Sequence, residues 1–200
     1  MTARANKRSK APIIVTIVVV VLVLLGIGTK LAYDYCSEQF LLATHPMKYT
    51  EYVSEYAEEF DVPEMLVFAV IKTESGFRTD ARSNLGARGL MQIMEDTFDW
   101  IRFRLDDESA VYDDMYSARE NIRYGTYLLG YLLRYFDGQT EVAVAAYHAG
   151  VGEVSSWLGD SEYSDDGVTL KKIPISDTAH YVDKINNALA VYEKLYNGGI

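Results

Sequence analysis

A chain of 200 residues is long enough for one domain of ordinary size and a short appendage. Residues 1–30 hold five of the 19 Lys and Arg and none of the 29 Asp and Glu, so residues 31–200 carry a formal charge of −15. A surface this acidic repels phosphate backbones, which excludes nucleic acid as an expected partner.

The N-terminal segment has the pattern of a membrane anchor. An uncharged apolar run, "IIVTIVVVVLVLLGIG", follows a stretch with four basic residues and no acidic one. This asymmetry is typical of a cytoplasmic N-terminus followed by an exported remainder. The sequence therefore predicts a basic cytoplasmic tail (1–12), a single transmembrane signal anchor (13–29), a linker (30–48) and a domain on the cell-wall side of the membrane (49–198).

A cleaved signal peptide is the alternative interpretation of the same run. Gly26 and Gly28 provide a small-x-small pattern at its end. The run is longer than the usual limit of about 15 residues and lacks an A-x-A site, which favours retention. Cys36 lies too far beyond the run to act as a lipid acceptor, and as the only cysteine it excludes an internal disulfide.

Beyond residue 49 nearly every segment predicts helix, so the fold class is mostly α. In "TEYVSEYAEEF", apolar and aromatic residues recur at the i, i+3, i+4 spacing of one helical face. Pro63 opens the next helix, and Ser117 with Glu120 forms a capping-box pattern before "NIRYGTYLLGYLLRYF". Thr140 is placed to cap "EVAVAAYHAG", and a last helix is predicted from about Ser176 to Tyr196.

Two segments resist the helical pattern, and an acidic residue begins one of them. These are "ESGFRTDARSNLGARG" and "GDSEYSDDGVTLKKIP". Glu74, the first residue of the former, ends the apolar helix that contains "MLVFAVI". Apolar surroundings disfavour the charged form of a carboxyl group, which can then donate a proton at neutral pH. Cleavage of a glycosidic bond needs such an acid.

The motifs around Glu74 resemble those of a known enzyme family. "ESGF", "ARSNLGARGLMQIM", "ENIRYGTYLL", "AAYHAG" and "IPISDTAHYV" are similar, in order and spacing, to motifs of the soluble lytic transglycosylases of the goose-lysozyme-like superfamily. The resemblance covers roughly residues 50–196. It implies a lysozyme-like α domain whose partner is the glycan strand of peptidoglycan.

Site residues follow from the resemblance position by position. Glu74 is similar to the family's single catalytic acid and base. The resemblance implies six substrate-binding residues, with His148 at a position where the family has Asn: Ser83, Gln92, Met94, Tyr147, His148 and Tyr181. Their chemistry suits a sugar cleft, since amides bind hydroxyl and acetamido groups and tyrosines offer flat faces with a polar tip.

The resemblance also implies a reaction that uses no water, metal or cofactor. Glu74 protonates the bridging oxygen, the acetamido group of muramic acid assists, and its O6 closes a 1,6-anhydro ring. The three scattered histidines form no metal-binding motif. Two alternatives remain: a hydrolytic muramidase, whose second carboxylate would be Asp80, Glu95 or Asp96, and a catalytically idle glycan-binding module.

Overall fold

The structure, a computed structural model, describes residues 11–197 and divides the chain into two units after Thr44. The described part of the first unit is a single helix, α1 (Ala11–Thr44), of 34 residues. Its stretch Val19–Thr44 has a mean hydropathy of 1.6 and is long and apolar enough to cross a membrane, by length and composition. The segment that we predicted as a linker is helical as far as Thr44. The predicted basic tail lies outside the described residues, apart from its last two positions.

The second unit is built from helices, which confirms the predicted mostly α class. Within residues 11–197 there is no strand, and Arg88 forms two isolated β-bridges, with Arg82 and Ile93. The elements are α2 (Thr50–Phe60), α3 (Glu64–Ser75), α4 (Glu95–Arg104), a 3₁₀ turn (Tyr112–Tyr116), α5 (Ala118–Tyr135), α6 (Thr140–Ala149), α7 (Val151–Leu158), α8 (Ser176–Tyr192) and a π-helical turn (Glu193–Asn197).

Helix α3 is central to the core because it is apolar on every side. Its seven residues Met65–Ile71 are all buried, and it packs mainly against α8 and α2. A helix with no polar stripe is stable only inside a core. Gly76 ends α3 in the left-handed conformation, with φ 59°, and its N–H bonds to the Lys72 carbonyl. This leaves Glu74 in the last turn, where the helix emerges from the core.

Two details of the predicted helix starts are wrong. Ser117 is the N-cap of α5, but its side chain makes no capping hydrogen bond. Its own N–H already bonds to the Asp114 carbonyl, and the Glu120 carboxylate turns toward Arg123, so neither half of a capping box forms. Helix α6 begins at Thr140 itself, with Gln139 as the N-cap.

The two irregular segments are loops, as predicted. The first, residues 76–94, folds back on itself through paired backbone hydrogen bonds of 3.0 Å between Arg88 and Ile93. Gly89 has φ 76°, and a Cβ built on it would lie 2.0 Å from the Met115 carbonyl oxygen. Only glycine fits there, because the loop passes directly over the chain before α5. The second loop, residues 159–175, connects α7 to α8.

Candidate active site

Glu74 lies at the edge of the core with one side-chain partner. The hydroxyl of Tyr181, a buried residue of α8, donates a 2.7 Å hydrogen bond to Glu74 Oε1. Burial raises the pKa of Glu74 to about 7, and the hydrogen bond from Tyr181 opposes this shift only in part. The carboxyl group is therefore substantially protonated near neutral pH, and its second oxygen makes no hydrogen bond to the described part of the chain.

A cavity of about 580 Å³ adjoins Glu74. Helix α8 supplies most of one wall, because its lining residues recur every three or four positions and so share one face. Helix α3 supplies Glu74 and its neighbour, and α6 supplies one side chain. The lining residues are Thr73, Glu74, His148, Ser176, Asp177, His180, Tyr181 and Lys184.

Tyr147 does not line this cavity; it lies on a separate cavity of about 420 Å³, which Asp96 also lines, and it contacts the loop that follows α3. Its hydroxyl donates a 2.8 Å hydrogen bond to the Met91 carbonyl. Burial, and secondarily the negative charge of Glu74, raises the pKa of Tyr147 well above its ordinary value, and the pKa of Tyr181 rises for the same two reasons. Both phenols therefore stay protonated and remain hydrogen-bond donors throughout the pH range of any assay.

His148 is held against Tyr181. Its Nδ1 lies 3.0 Å from the hydroxyl oxygen of the buried Thr178, and its ring centroid is 4.7 Å from that of Tyr181. Partial burial lowers the pKa of His148, although Asp177 acts in the opposite direction. The lowered pKa favours the neutral imidazole at pH 7, and because Nδ1 is paired with Thr178, only Nε2 is left to donate to or accept from a ligand.

Three predicted sugar-binding residues lie in or directly after the loop and do not line the cavity beside Glu74. Ser83 Oγ accepts the Ala87 N–H at 3.0 Å. The Gln92 amide nitrogen donates to the Gly89 carbonyl at 2.9 Å and to the Ala81 carbonyl at 3.3 Å. Both of its hydrogens are therefore used within the loop, and its side-chain carbonyl oxygen is the group left to accept a hydrogen bond from a ligand. Met94, 40% exposed, is the N-cap of α4.

One residue that positions this loop was not predicted as part of the site. Asn121, fully buried in α5, accepts the Met91 N–H at 2.7 Å and donates to the carbonyls of Arg88 and Met115, each at 2.9 Å. Met91 is thus held through its N–H by Asn121 and through its carbonyl by Tyr147. An asparagine on the apolar face of a predicted helix is the signal that could have identified it.

Of the carboxylates considered as a second acid, none lines the Glu74 cavity. Asp80, Glu95 and Asp96 are all exposed, whereas Asp177 does line the cavity. The pKa of Glu74 is set by burial and Tyr181, with no contribution from another carboxylate in the described part of the chain. Within residues 11–197, no group of three or more His, Cys, Asp or Glu side chains is placed to hold a metal ion.

Comparison with known proteins matches residues 51–168 to the family described as "Transglycosylase SLT domain". The soluble lytic murein transglycosylase of Escherichia coli is 31% identical over 156 residues, which cover 76% of this chain and 23% of that protein. The membrane-bound lytic murein transglycosylase C of Serratia proteamaculans is 28% identical over 170 residues, covering 74% and 47% respectively.

A solved structure agrees with the sequence matches. An inactive glutamate-to-glutamine mutant of the lytic transglycosylase Slt from Pseudomonas aeruginosa aligns with a TM-score of 0.70 and 29% identity, covering 78% of this chain and 25% of that one. The predicted lysozyme-like fold and the resemblance on which it was based are confirmed. The chain spans about a quarter of the length of its soluble relatives, and about half that of the membrane-bound one.

Proposed function

Because the chain belongs to the transglycosylase SLT-domain family, we propose that it is a lytic transglycosylase. It cleaves the β-1,4 bond between N-acetylmuramic acid and N-acetylglucosamine in peptidoglycan without consuming water. The observation that carries this proposal is a carboxyl group, Glu74, with a pKa of about 7 at the edge of a cavity large enough for a sugar. The names of the relatives, lytic murein transglycosylases, support the same activity.

Glu74 acts first as a general acid. Its proton passes to the oxygen that joins the two sugars, the bond from C1 of muramic acid to that oxygen breaks, and N-acetylglucosamine leaves as an alcohol. The acetamido oxygen of the same muramic acid bonds to C1 as positive charge develops there. The hydrogen bond from Tyr181 to Oε1 orients the carboxyl group, so that the proton on the other oxygen can face the substrate.

Glu74 then acts as a base. The carboxylate removes the proton of the C6 hydroxyl, O6 attacks C1, and the acetamido oxygen is released as the 1,6-anhydro ring closes. Tyr181 stabilises the carboxylate between the two steps, because a hydrogen bond to an ionised acceptor is stronger than one to a neutral acceptor. A single carboxyl group suffices, since the substrate supplies both the assisting group and the nucleophile.

The remaining predicted residues bind the glycan in this proposal. His148 and the free carbonyl oxygen of Gln92 offer hydrogen bonds to acetamido and hydroxyl groups. Met94 provides a pliable apolar wall and Tyr147 a partly exposed aromatic face. Ser83 contributes indirectly by closing the turn that carries the loop.

We further propose a single-pass membrane protein with its second unit on the cell-wall side. Support comes from the apolar helix α1, from the basic residues that precede it and from the membrane-bound relative. Protease added to intact protoplasts should then remove the C-terminal unit and leave a fragment of α1 in the membrane. Recovery of the protein from the medium, starting near Thr29, would instead indicate a cleaved signal peptide.

The product tests the reaction. Full-length protein in detergent, mixed with purified peptidoglycan, should release muropeptides that are lighter by one water, about 18 Da, than hydrolytic products and that resist borohydride reduction. Asp80→Asn and Glu95→Gln should remain largely active, because these carboxylates lie outside the cavity. Products with free reducing ends, lost on Asp177→Asn, would make the protein a muramidase that uses Asp177 as its second acid. Binding of glycan without any soluble product would make it a binding module.

A further inference from the structure

The α8 wall of the Glu74 cavity carries a lysine that the mechanism above does not use. Lys184 lines the cavity and makes no ion pair or hydrogen bond within the described residues 11–197. By contrast, Lys172 in the preceding loop pairs with Glu162 at 3.1 Å, and Lys171 pairs with Asp165. A lysine with no protein partner, facing a substrate cavity, has its charge available for a ligand.

The spacing of residues along α8 places Lys184 on the helix face that lines the cavity. Asp177, Tyr181 and Lys184 follow one another at spacings of four and three residues on one face, so Lys184 lies about 4.5 Å further along the helix than the tyrosine that holds Glu74. Asp183, its sequence neighbour, faces away and lines a separate groove with Lys171. Lys184 therefore belongs to the cavity, and no acidic residue stands three or four positions from it on α8.

The charges around the cavity favour an anionic group at this end. His180, which also lines the cavity, precedes Lys184 by one turn and can donate a ring N–H. Asp177 lies on the far side of Tyr181, toward the start of α8, next to His148. The part of the chain beyond residue 30 carries −15, so anions are repelled from most of its surface and a local cation has a selective effect.

We propose that Lys184, assisted by His180, binds a carboxylate of the peptide that muramic acid carries. The proposal rests on the proposed function, because it assumes that muramic acid occupies the cavity next to Glu74. The lactyl ether of muramic acid carries a peptide with free carboxylates, which makes the substrate an acidic polymer. A flexible, strongly hydrated ammonium group suits such a mobile ligand, since it requires no fixed geometry. Lys184 is then a residue that selects strands bearing peptides over bare glycan.

The effect should be modest, because Lys184 is exposed. Exposed ion pairs contribute little, so we expect about a fivefold change in kcat/KM, carried by KM. The experiment compares native peptidoglycan with peptidoglycan whose carboxylates have been amidated with carbodiimide and ammonium. The full-length wild-type protein in detergent should lose about fivefold in kcat/KM on the amidated substrate.

Three variants complete the test. Lys184→Met should lose about fivefold on native peptidoglycan and nothing on the amidated form, and Lys184→Arg should retain the preference. Lys172→Met removes the same charge outside the cavity and should behave as the wild type. The proposal is overturned if Lys184→Met matches the wild type on native substrate, loses equally on both substrates, or is matched by Lys172→Met.

Failure of the proposed function would look different, because the wild type would then release either fragments with free reducing ends or no soluble fragments at all. In that case cosedimentation of the same proteins with native and amidated sacculi still tests whether Lys184 binds a peptide carboxylate. Wild type should bind native sacculi about fivefold more tightly than amidated ones, and Lys184→Met should bind both equally. Equal binding of the two proteins to native sacculi would overturn the assignment of Lys184.

Discussion

The end of α3 and the loop before α8 each contain a carboxyl group whose pKa departs from its ordinary value, in opposite directions. Glu74 is partly buried at the edge of the core, has one hydrogen-bond donor, and has a pKa of about 7. Asp166 is exposed and accepts the backbone N–H groups of Val168 and Thr169, each at 2.8 Å, together with two hydroxyl groups. These donors hold the pKa of Asp166 well below its usual range.

The difference shows which environment gives a carboxyl group that can donate a proton at neutral pH, and which gives a carboxylate that stabilises a loop. Burial with few donors penalises the charged form of Glu74, so the group keeps a proton that it can transfer. Several donors in water favour the charged form of Asp166, so that group only stabilises a turn. Two carboxyl groups of one domain can thus be assigned to chemistry and to structure by comparing their hydrogen-bond donors and burial.

The largest effect is expected for Glu74→Gln, which tests whether Glu74 is the acid. The amide keeps the shape of the side chain but has no transferable proton, so turnover should fall by about 10² or more while glycan binding persists. Release of soluble muropeptides measures the first effect and cosedimentation with sacculi the second. Glu95→Gln, at an exposed carboxylate of α4, is the matched control. Activity of Glu74→Gln within a few-fold of wild type would contradict the assignment of the acid.

The same variant should change the pH dependence of stability. The folded-state pKa of Glu74 lies above its ordinary value of 4.5, so the wild-type protein loses stability as pH rises from about 4.5 to about 7. Glu74→Gln does not ionise, and its stability relative to wild type should increase by about 3 kcal/mol between pH 4 and pH 8.

Denaturation of the full-length protein in detergent, followed by tryptophan fluorescence, measures this difference. Both tryptophans, Trp100 and Trp157, lie in the second unit, so the signal reports its unfolding. Glu95→Gln controls for the loss of one charge. A stability difference that stays constant from pH 4 to pH 8 would show that Glu74 is not held in its protonated form.

Tyr181→Phe removes the one hydrogen-bond donor of Glu74 and so leaves burial alone to set the pKa of that carboxyl group. The pKa of Glu74 then rises further above 7, so the activity lost at high pH should be lost at a higher pH than in the wild type. Turnover should fall about tenfold, because the carboxylate loses its orientation and its stabilising partner. Tyr192→Phe, on the same helix but bonded to the Pro46 carbonyl, should leave the pH profile unchanged. A profile that does not move in Tyr181→Phe would show that the hydrogen bond does not tune the acid.

Asp166→Asn should have the smallest effect and the opposite sign. Because the pKa of Asp166 is lowered, its charged form contributes stability that is present above its usual value of 3.8 and is lost as pH falls below it. The variant should therefore be less stable than wild type by a constant amount from pH 8 to pH 5, and the gap should shrink below about pH 4. Denaturation at several pH values measures the gap, and turnover should be unchanged. A gap that widens in acid would contradict the role of the four donors.

Local patterns in the sequence predicted α2, α3, α5, α6 and α8 individually, because each has a clear apolar face or a completely apolar run. Helices α4 and α7 were covered only by the general expectation of helix. Local patterns failed where two local partners compete. The capping box at Ser117 is an example, since its N–H is already bonded to Asp114 and Glu120 pairs with Arg123. The preference of serine for N-cap positions does not reveal that the N–H of Ser117 already bonds to the preceding 3₁₀ turn.

The contacts of the candidate site could not be predicted from local patterns. Tyr181 and Glu74 are separated by 107 residues, and only the resemblance to a family brought them together before the structure did. The hydrogen bonds of the Gln92 amide within the loop depend on how the loop folds, and the position of Lys184 on the wall of the Glu74 cavity depends on how α8 packs on α3. Neither follows from the identity of neighbouring residues.

The burial of Met65–Ile71 in α3 also bears on how rigidly the acid is held. Backbone amides of buried helical residues exchange with solvent mainly when the whole domain opens, whereas exposed loops open locally. The N–H groups of residues 68–71, with exposures of 0 to 1%, should therefore be among the slowest in the chain to exchange with deuterium. Local fluctuations of the loops around the cavity then leave in place the part of α3 that precedes Glu74.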